Sequence, residues 1–583
     1  MRVCSTTRHG YLTVPTALDI TIVETLALLD GDFAEFAAGI AHDQYAIWLG
    51  AGVSLGKLPG LEGVAGEVLE HLRIRIDSTN AACKFRRSLD RILNLILSPE
   101  DWKEIDYAKS ATDWKIFGRI KKNLTGAYSR MLDQHPQGEL PDYLVWDAVK
   151  VVERYGDPSI TPGPEHFGLA ALIAEGVASD VASANWDALI EKAIVAIAGS
   201  PVGLLQVRIL PEDVRDSSAR ARFYKFHGCA VLGGEDEARY RERIVGRASQ
   251  IHGWADKAEN KVIAGKLLDL AISKSTLMLG LSAQDTNIQN IFVVAQQSLP
   301  ASFPTHPPAV VLSENSVGAD QLSLLQNFYK TDYVAKSEEI EKSALLRAYS
   351  RSLLPALWLH VVCSKLETFL EGSASGLTAA EKSRLRSALR TLRNGVAATA
   401  LPDQYEQFMV TALSLAGRAM NFFRDGRRIN AAAGLYSPLS MSSVPKSLHE
   451  PGFSSSGIQE LALGIALVAL AATEGFWECR VSGLSDPGGG ALRLAGAVRS
   501  AEVFFAANNQ SASRLIAGGY AAEDSDTIIL HSHEAPARAA RHPTSPPGRT
   551  LRRRRREISL SRLSGASNSL DEILKNLRAE IAV

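Results

Sequence analysis

Tyr45-Ala-Ile-Trp-Leu49 is an unbroken apolar run that ends on glycine. A strand covered on both faces reads this way, and the glycine marks the turn out of it. Upstream, residues 15–40 carry apolar positions at helical spacing: Leu18, Ile22, Leu26 and Leu29, then Phe33 and Phe36. After Gly63 the helical spacing returns with Val64, Val68 and Leu72. Strand, glycine-rich turn and helix together predict the opening of a doubly wound α/β domain.

From about Glu67 to Tyr155 the chain is charged, contains tryptophan and is mostly helical in pattern, which predicts a helical insertion. The proline- and glycine-rich stretch 157–164 is a loop. Alternation then resumes. The pattern predicts strands at 177–184, 223–226, 276–281 and 309–312, and helices at 187–198, 261–273 and 285–298. Past about Ser337, helix follows helix with little strand signal. Leu461 to Thr473 is the longest apolar stretch and reads as a buried helix, since spanning a bilayer takes ~20 residues. Residues 485–490 form a Gly/Pro-rich break, 532–550 read as a flexible linker, and 560–581 as a closing amphipathic helix. The expected architecture is a Rossmann-like, doubly wound parallel sheet with a helical insertion at about 67–155, all within 1–335. A mainly α-helical interaction or oligomerisation region (336–530) follows, then a basic linker and terminal helix (531–583).

Length and composition narrow this picture. A chain of 583 residues exceeds what one core supports. Its formal net charge of −1 gives no general electrostatic case for nucleic acid or membrane. The arginine run 552–556 is read as solvated linker, with phosphate contact as the alternative. Cys4, Cys83, Cys229, Cys363 and Cys479 are far apart and form no C-x-x-C pair. That spacing opposes a Cys₄ metal site and a disulfide framework, and it predicts a reducing, cytoplasmic setting. The N-terminal residues lack the basic and apolar blocks of a secretory leader.

The candidate chemistry falls just after predicted strands. Gly50-Ala51-Gly52-Val53-Ser54 would let backbone N–H groups approach a phosphate; the same residues also suit a plain tight turn. Asn185 and Asp187 follow the second strand. Asn185 can orient a water or a carboxamide, and Asp187 can bind a carboxamide or ribose or cap the next helix. His227-Gly228 follows a third strand, where histidine suits proton transfer, although the chain has 13 histidines and the type alone selects none. Gly280, Ser282 and Asp285 follow a fourth, with Asp285 better placed as a helix cap than as a ligand. Ser313-Glu314-Asn315 follows the last. Strand ends of one direction share one edge, so these groups can converge on one crevice.

The ordered set Gly50-Ala-Gly-Val-Ser54 with Pro59, Asn185-x-Asp187, His227-Gly228 and Gly280-x-Ser282 resembles the motifs of the sirtuin family. The segments SANWDALIEKA and LGLSAQDTNIQNIF are similar to SIR2-like domains of bacterial antiphage defence proteins. The resemblance spans about 41–315. It implies a domain that binds NAD and breaks its nicotinamide–ribose bond. Asn185 and His227 would be required for catalysis, Asp187 would lie near the nicotinamide, and the 50–54 and 280–282 turns would lie on the phosphates. Zinc-bearing sirtuins carry two C-x-x-C pairs after His-Gly, whereas here that region holds Cys229 alone, so no zinc is expected. The implied activity is NAD⁺ hydrolysis by a gated defence effector. A zinc-free deacylase, an ADP-ribosyltransferase and a non-catalytic NAD or ADP-ribose sensor are the alternatives. The implied partners are copies of the same chain or a separately encoded HerA-type ATPase or short Argonaute, with no membrane and no direct nucleic-acid contact.

Overall fold

β1 (Tyr45–Leu49) is buried at every residue, as its unbroken apolar run demands. The computed structural model describes residues 16–582 apart from 81, 217, 301, 429–433, 487–488, 498, 524, 535–554 and 568. Six further strands join β1: β2 (Asp180–Ser183), β3 (Leu205–Arg208), β4 (Ala221–Lys225), β5 (Ser275–Leu279), β6 (Val310–Ser313) and β7 (Leu345–Leu346). They form one sheet in the order β3-β4-β2-β1-β5-β6-β7, parallel throughout. The chain fills one side of β1 first and then the other, so strand order reverses at β1. Ligands bind at such a switch point, outside the carboxyl ends of the strands.

Alternate residues of the strands serve alternate faces. Ile47, Leu49, Val181, Leu277 and Val311 pack with residues of the helices Ile22–Asp30, Ala34–Ala41, Pro164–Ala174 and Leu189–Ala198. Trp48, Ala182, Tyr224, Met278 and Leu312 pack with the helices Lys261–Ser273 and Thr286–Ser298. The expected helix over 15–40 is two helices, broken around Gly31. Both edge strands, β3 and β7, escape the hydrophobic pattern. Leu-Gln-Val-Arg mixes polar positions, and Leu345–Leu346 is only 2 residues long.

Between β1 and β2, helices and turns gather around their own apolar core, which includes Val68, Leu69, Leu89, Ile92, Leu124 and Met131. This is the expected insertion, and its first helix begins at Leu61.

The helix Ser350–Ser373 runs against Pro164–Ala174 and fastens the C-terminal half to the sheet. It is long and apolar enough to cross a membrane, yet 67% of its apolar window is buried within the protein. Gly168 permits the approach: a Cβ there would sit 2.8 Å from Leu354 Cβ. Lys365, fully buried, donates to Glu175 Oε2 at 2.6 Å and to the Glu175 and Ser440 carbonyls at 2.7 and 2.8 Å. Tyr436 Oη and Leu439 N–H donate to the other Glu175 oxygen. Both buried charges are thus paired and hydrogen-bonded, the condition under which burial is tolerated.

The helical reading of the C-terminal half holds as far as Thr473. Beyond it lies a second sheet that the pattern did not reveal. It comprises β8 (Glu478–Arg480), β9 (Leu492–Ala495), β10 (Ser500–Ala506), β11 (Thr527–His531) and β12 (Arg556–Ser559), ordered β12-β11-β10-β9-β8. β10, β11 and β12 are parallel, and β9 is antiparallel to both neighbours. Short apolar runs such as Val503-Phe-Phe-Ala506 cannot be told from buried helix by periodicity alone. Most of the proposed 532–550 linker and Arg552–Arg554 lie outside the described residues. Arg555 and Arg556 are not solvated linker. Arg555 holds Glu557 and the Ala521 carbonyl, and Arg556 opens β12 and donates to the Glu580 carbonyl. The closing helix is two helices, Leu560–Gly565 and Leu570–Ile581.

Candidate functional site

One row of residues crosses the sheet at its carboxyl edge: Lys225, Ser183, Leu49, Leu279, Ser313 and Leu346 are register partners in that order. Asn185, His227, Gly50 and Gly280 each lie one or two residues past this row, so register alone brings four separate motifs to one edge. A cavity of about 580 Å³ opens there, within the usual size range of small-molecule sites. Gly50, Ala51, Gly52, Ser54, Asn185, Asp187, His227, Gly280, Ser282 and Asp285 all line it. Val53 does not. Its side chain is buried among the core residues beneath the sheet, so it contributes packing.

The glycines serve first to bring two loops together. Gly50 N–H donates to the Leu279 carbonyl and Gly52 N–H to the Gly280 carbonyl, both at 3.0 Å, and Val53 N–H donates to Gly50. A Cβ on Gly52 would lie 2.6 Å from Gly280 Cα. Three N–H groups of the first turn are therefore already engaged. The loop after β5 is the opposite. Its Gly280, Leu281 and Ala283 carbonyls accept from Gly52 N–H, Gln321 and Gln289 respectively. Among the described residues, the N–H groups of Leu281, Ser282, Ala283 and Gln284 have no such partner. Gly280 and Ala283 have φ of 57° and 58°. Left-handed residues in such a loop turn successive N–H groups to one side and make an anion-binding concavity.

Asn185 Nδ2 donates to the Gly50 carbonyl at 3.0 Å. A carbonyl can only accept, so the amide orientation is set and Oδ1 is left as an acceptor for a ligand. Asp187 is fixed on both oxygens. Oδ1 accepts from Leu189 N–H at 3.1 Å, at the start of the next helix, and Oδ2 accepts from Ser54 Oγ at 2.9 Å. Behind Ser54 lies His166, fully buried, with Nε2 3.3 Å from Ser54 Oγ and Nδ1 accepting from Gly163 N–H. That acceptor role puts the proton on Nε2, so the bonds run from His166 to Ser54 to Asp187. Sequence reasoning missed His166. It sits in the first turn of the helix Pro164–Ala174, 112 residues from Ser54, with no local pattern to single it out. Beneath Asp187, the buried Lys225 ammonium donates to the Asp187 carbonyl at 2.6 Å and to Glu191 at 2.9 Å. Burial opposes its charge, but Cys229, Glu191 and Asp187 outweigh burial and raise its pKa.

His227 and Asp285 form a buried pair, with His227 Nε2 2.8 Å from Asp285 Oδ2. Asp285 also caps the helix Thr286–Ser298 by accepting from Asn287 N–H at 2.7 Å. Burial alone would raise the Asp285 pKa, but the hydrogen bonds from His227 and Asn287 and the His227 charge together lower it. In the neutral ring, an ionised carboxylate on Nε2 holds the proton there, which leaves Nδ1 as the lone-pair nitrogen. Among the described residues, Nδ1 has no hydrogen-bond partner. Ser282 and Gln284 are exposed on the cavity rim. Ser313 to Asn315 do not line the cavity. Ser313 Oγ donates to the Ala348 carbonyl, and Asn315 Oδ1 accepts from Ala17 N–H.

The insertion supplies the opposite wall with Thr125, Tyr128, Leu132 and Tyr155. Tyr155 Oη donates to the Pro59 carbonyl at 3.0 Å, and its ring stands edge-on to Trp186. Burial pushes its phenol up to about 12. Among the described residues, no group of three or more His, Cys, Asp or Glu side chains is arranged to hold a metal ion.

Residues 179–334 match the family model of the SIR2-like domain. The match takes in Asn185, Asp187, His227, Gly280, Ser282 and Asp285, and begins after β1 and the insertion. The chain therefore carries a SIR2-like domain on a Rossmann-like sheet, which ties it to NAD-dependent chemistry. No curated protein matches the chain.

Proposed function

We propose that this chain, which carries a SIR2-like domain over residues 179–334, hydrolyses NAD⁺ to nicotinamide and ADP-ribose. The observation that carries the reading is the convergence on one cavity of an oriented amide (Asn185), a carboxylate-held histidine (His227–Asp285) and a loop of unengaged N–H groups. The N–H groups of 281–284 take the pyrophosphate. Asp187, held by Ser54, takes the carboxamide N–H. The C1′–N bond breaks heterolytically, its electron pair leaves with neutral nicotinamide, and C1′ gains oxocarbenium character. Asn185 Oδ1 positions the attacking water. A C1′–O bond forms, and the water proton passes to His227 Nδ1 directly or through a ribose hydroxyl. General-base help of this kind is worth roughly 10²–10⁴-fold.

A free NAD hydrolase would drain its host, so the activity is gated. In this reading the chain acts in the cytoplasm as an antiphage effector, and the helices and second sheet beyond Ser350 are the surface through which copies of the chain, or a separately encoded partner, control it. The test is turnover of NAD⁺ with product identification. Free ADP-ribose supports hydrolysis, whereas acetyl-ADP-ribose would assign a deacylase and modified protein an ADP-ribosyltransferase.

A further inference from the structure

The geometry points to Tyr128 as a substrate-positioning residue, its hydroxyl donating to the nicotinamide-side ribose of NAD beside His227. The inference rests on the proposed function and extends it to a residue outside the SIR2-like match. Tyr128 opens the helix Tyr128–Leu132 of the insertion and lines the same cavity as His227 and Asp285. Among the described residues its hydroxyl has no hydrogen-bond partner. The hydroxyl opens onto the cavity, so a ligand seated there can accept from it.

The position of the helix is fixed from the His227 side. Asp133, just past the helix, accepts from Ser249 N–H at 2.7 Å and from Ser249 Oγ at 2.6 Å. The segment leading to Ser249 is tied to His227 by Val245 N–H donating to the His227 carbonyl at 3.1 Å. The same Val245 accepts from Trp186 Nε1. Tyr128 and His227 are thus held in one framework before any ligand arrives, which is what positioning requires.

Donor chemistry selects the target. Burial, and after it the Asp285 charge, raise the Tyr128 phenol well above its ordinary range, so it remains an O–H. The neighbouring free groups, Asn185 Oδ1 and His227 Nδ1, are acceptors. A ribose diol bound there gives a hydrogen to His227 Nδ1, while Asn185 Oδ1 holds the water, and its oxygen lone pairs can take a donor. Tyr128 supplies that donor.

The experiment is calorimetric titration of ADP-ribose, and separately of ADP, into the full-length protein and its Tyr128→Phe variant. ADP lacks the second ribose. The ring is kept, so the unliganded melting temperature should not move. The expected result is ADP-ribose binding weakened about fivefold to tenfold, the value of one neutral hydrogen bond, with ADP binding unchanged. Equal ADP-ribose affinity in both proteins overturns the assignment. So does equal weakening of ADP and ADP-ribose, which would mean a general change of cavity shape. If the wild-type protein binds neither ligand, the functional reading itself fails and this one with it.

Discussion

Asp285→Asn is a near-isosteric change that tests the role of the histidine pair. Asn Oδ1 can still accept from Asn287 N–H and keep the helix cap, bonded at 2.7 Å in the wild type. Its amide nitrogen then faces His227 Nε2, 2.8 Å away from the present oxygen. An amide N–H is a donor, so Nε2 must turn acceptor and the ring proton must move to Nδ1. The nitrogen free to serve the cavity thereby loses its lone pair. Two magnitudes follow. Stability falls by about 1 kcal/mol, the excess of a hydrogen bond to a charged group over the neutral one that replaces it. Turnover falls by roughly 10²–10⁴-fold, the worth of a general base, because each 1.36 kcal/mol on the barrier is about tenfold. The assay is NAD⁺ hydrolysis followed by chromatography of nicotinamide, beside urea denaturation of both proteins. Asp285 has a lowered pKa in the fold, so it contributes stability that is present above the unfolded carboxyl range and lost as pH falls through the folded value. The variant should lack that part of the acid loss. If Asp285→Asn retains about a third or more of wild-type kcat/KM, the tautomer argument is wrong.

Two more predictions concern the frame. Lys365→Met leaves the Glu175 carboxylate buried without its cation and should destabilise the protein by about 3–5 kcal/mol in denaturant titration; a loss under about 1 kcal/mol would show that the network is not what joins the two halves. Glu314 is pushed up to about 7, chiefly by burial, with a hydrogen bond to Gln321 opposing. A raised acid pKa gives stability that is full below the unfolded value and is lost as pH rises to about 7. Wild type should therefore lose on the order of 1–2 kcal/mol over that range, after allowance for partial exposure, and Glu314→Gln should abolish that slope. An identical slope in both proteins would remove Glu314 as its source.

The central sheet was legible because its inner strands centre on buried apolar residues, a long run in β1 and shorter ones in β2, β4, β5 and β6, with turn residues after them. β1 and the helix Lys261–Ser273 have the bounds that their patterns predict. Edge strands have one neighbour and mixed faces, and β3 and β7 carried no such signal. The second sheet was hidden because its strands are short and follow a helical stretch. At the site, residues next to strand ends could be found from sequence, since register fixes their position. His166 and Tyr128 could not. Tyr128 reaches the cavity, and His166 reaches Ser54 behind it, through tertiary packing of an insertion and a helix, and nothing near them in the chain records those contacts. Asp285 was legible as a helix cap, and it is one. Its second bond, to a histidine 58 residues away, belongs to the fold.

The most direct measurement is the rate of NAD⁺ conversion to nicotinamide and ADP-ribose by the purified full-length protein, beside Asn185→Ala and His227→Ala. Both products should form together, and each variant should lose at least about 10²-fold in rate while keeping the wild-type melting temperature. Undiminished turnover in either variant would contradict it.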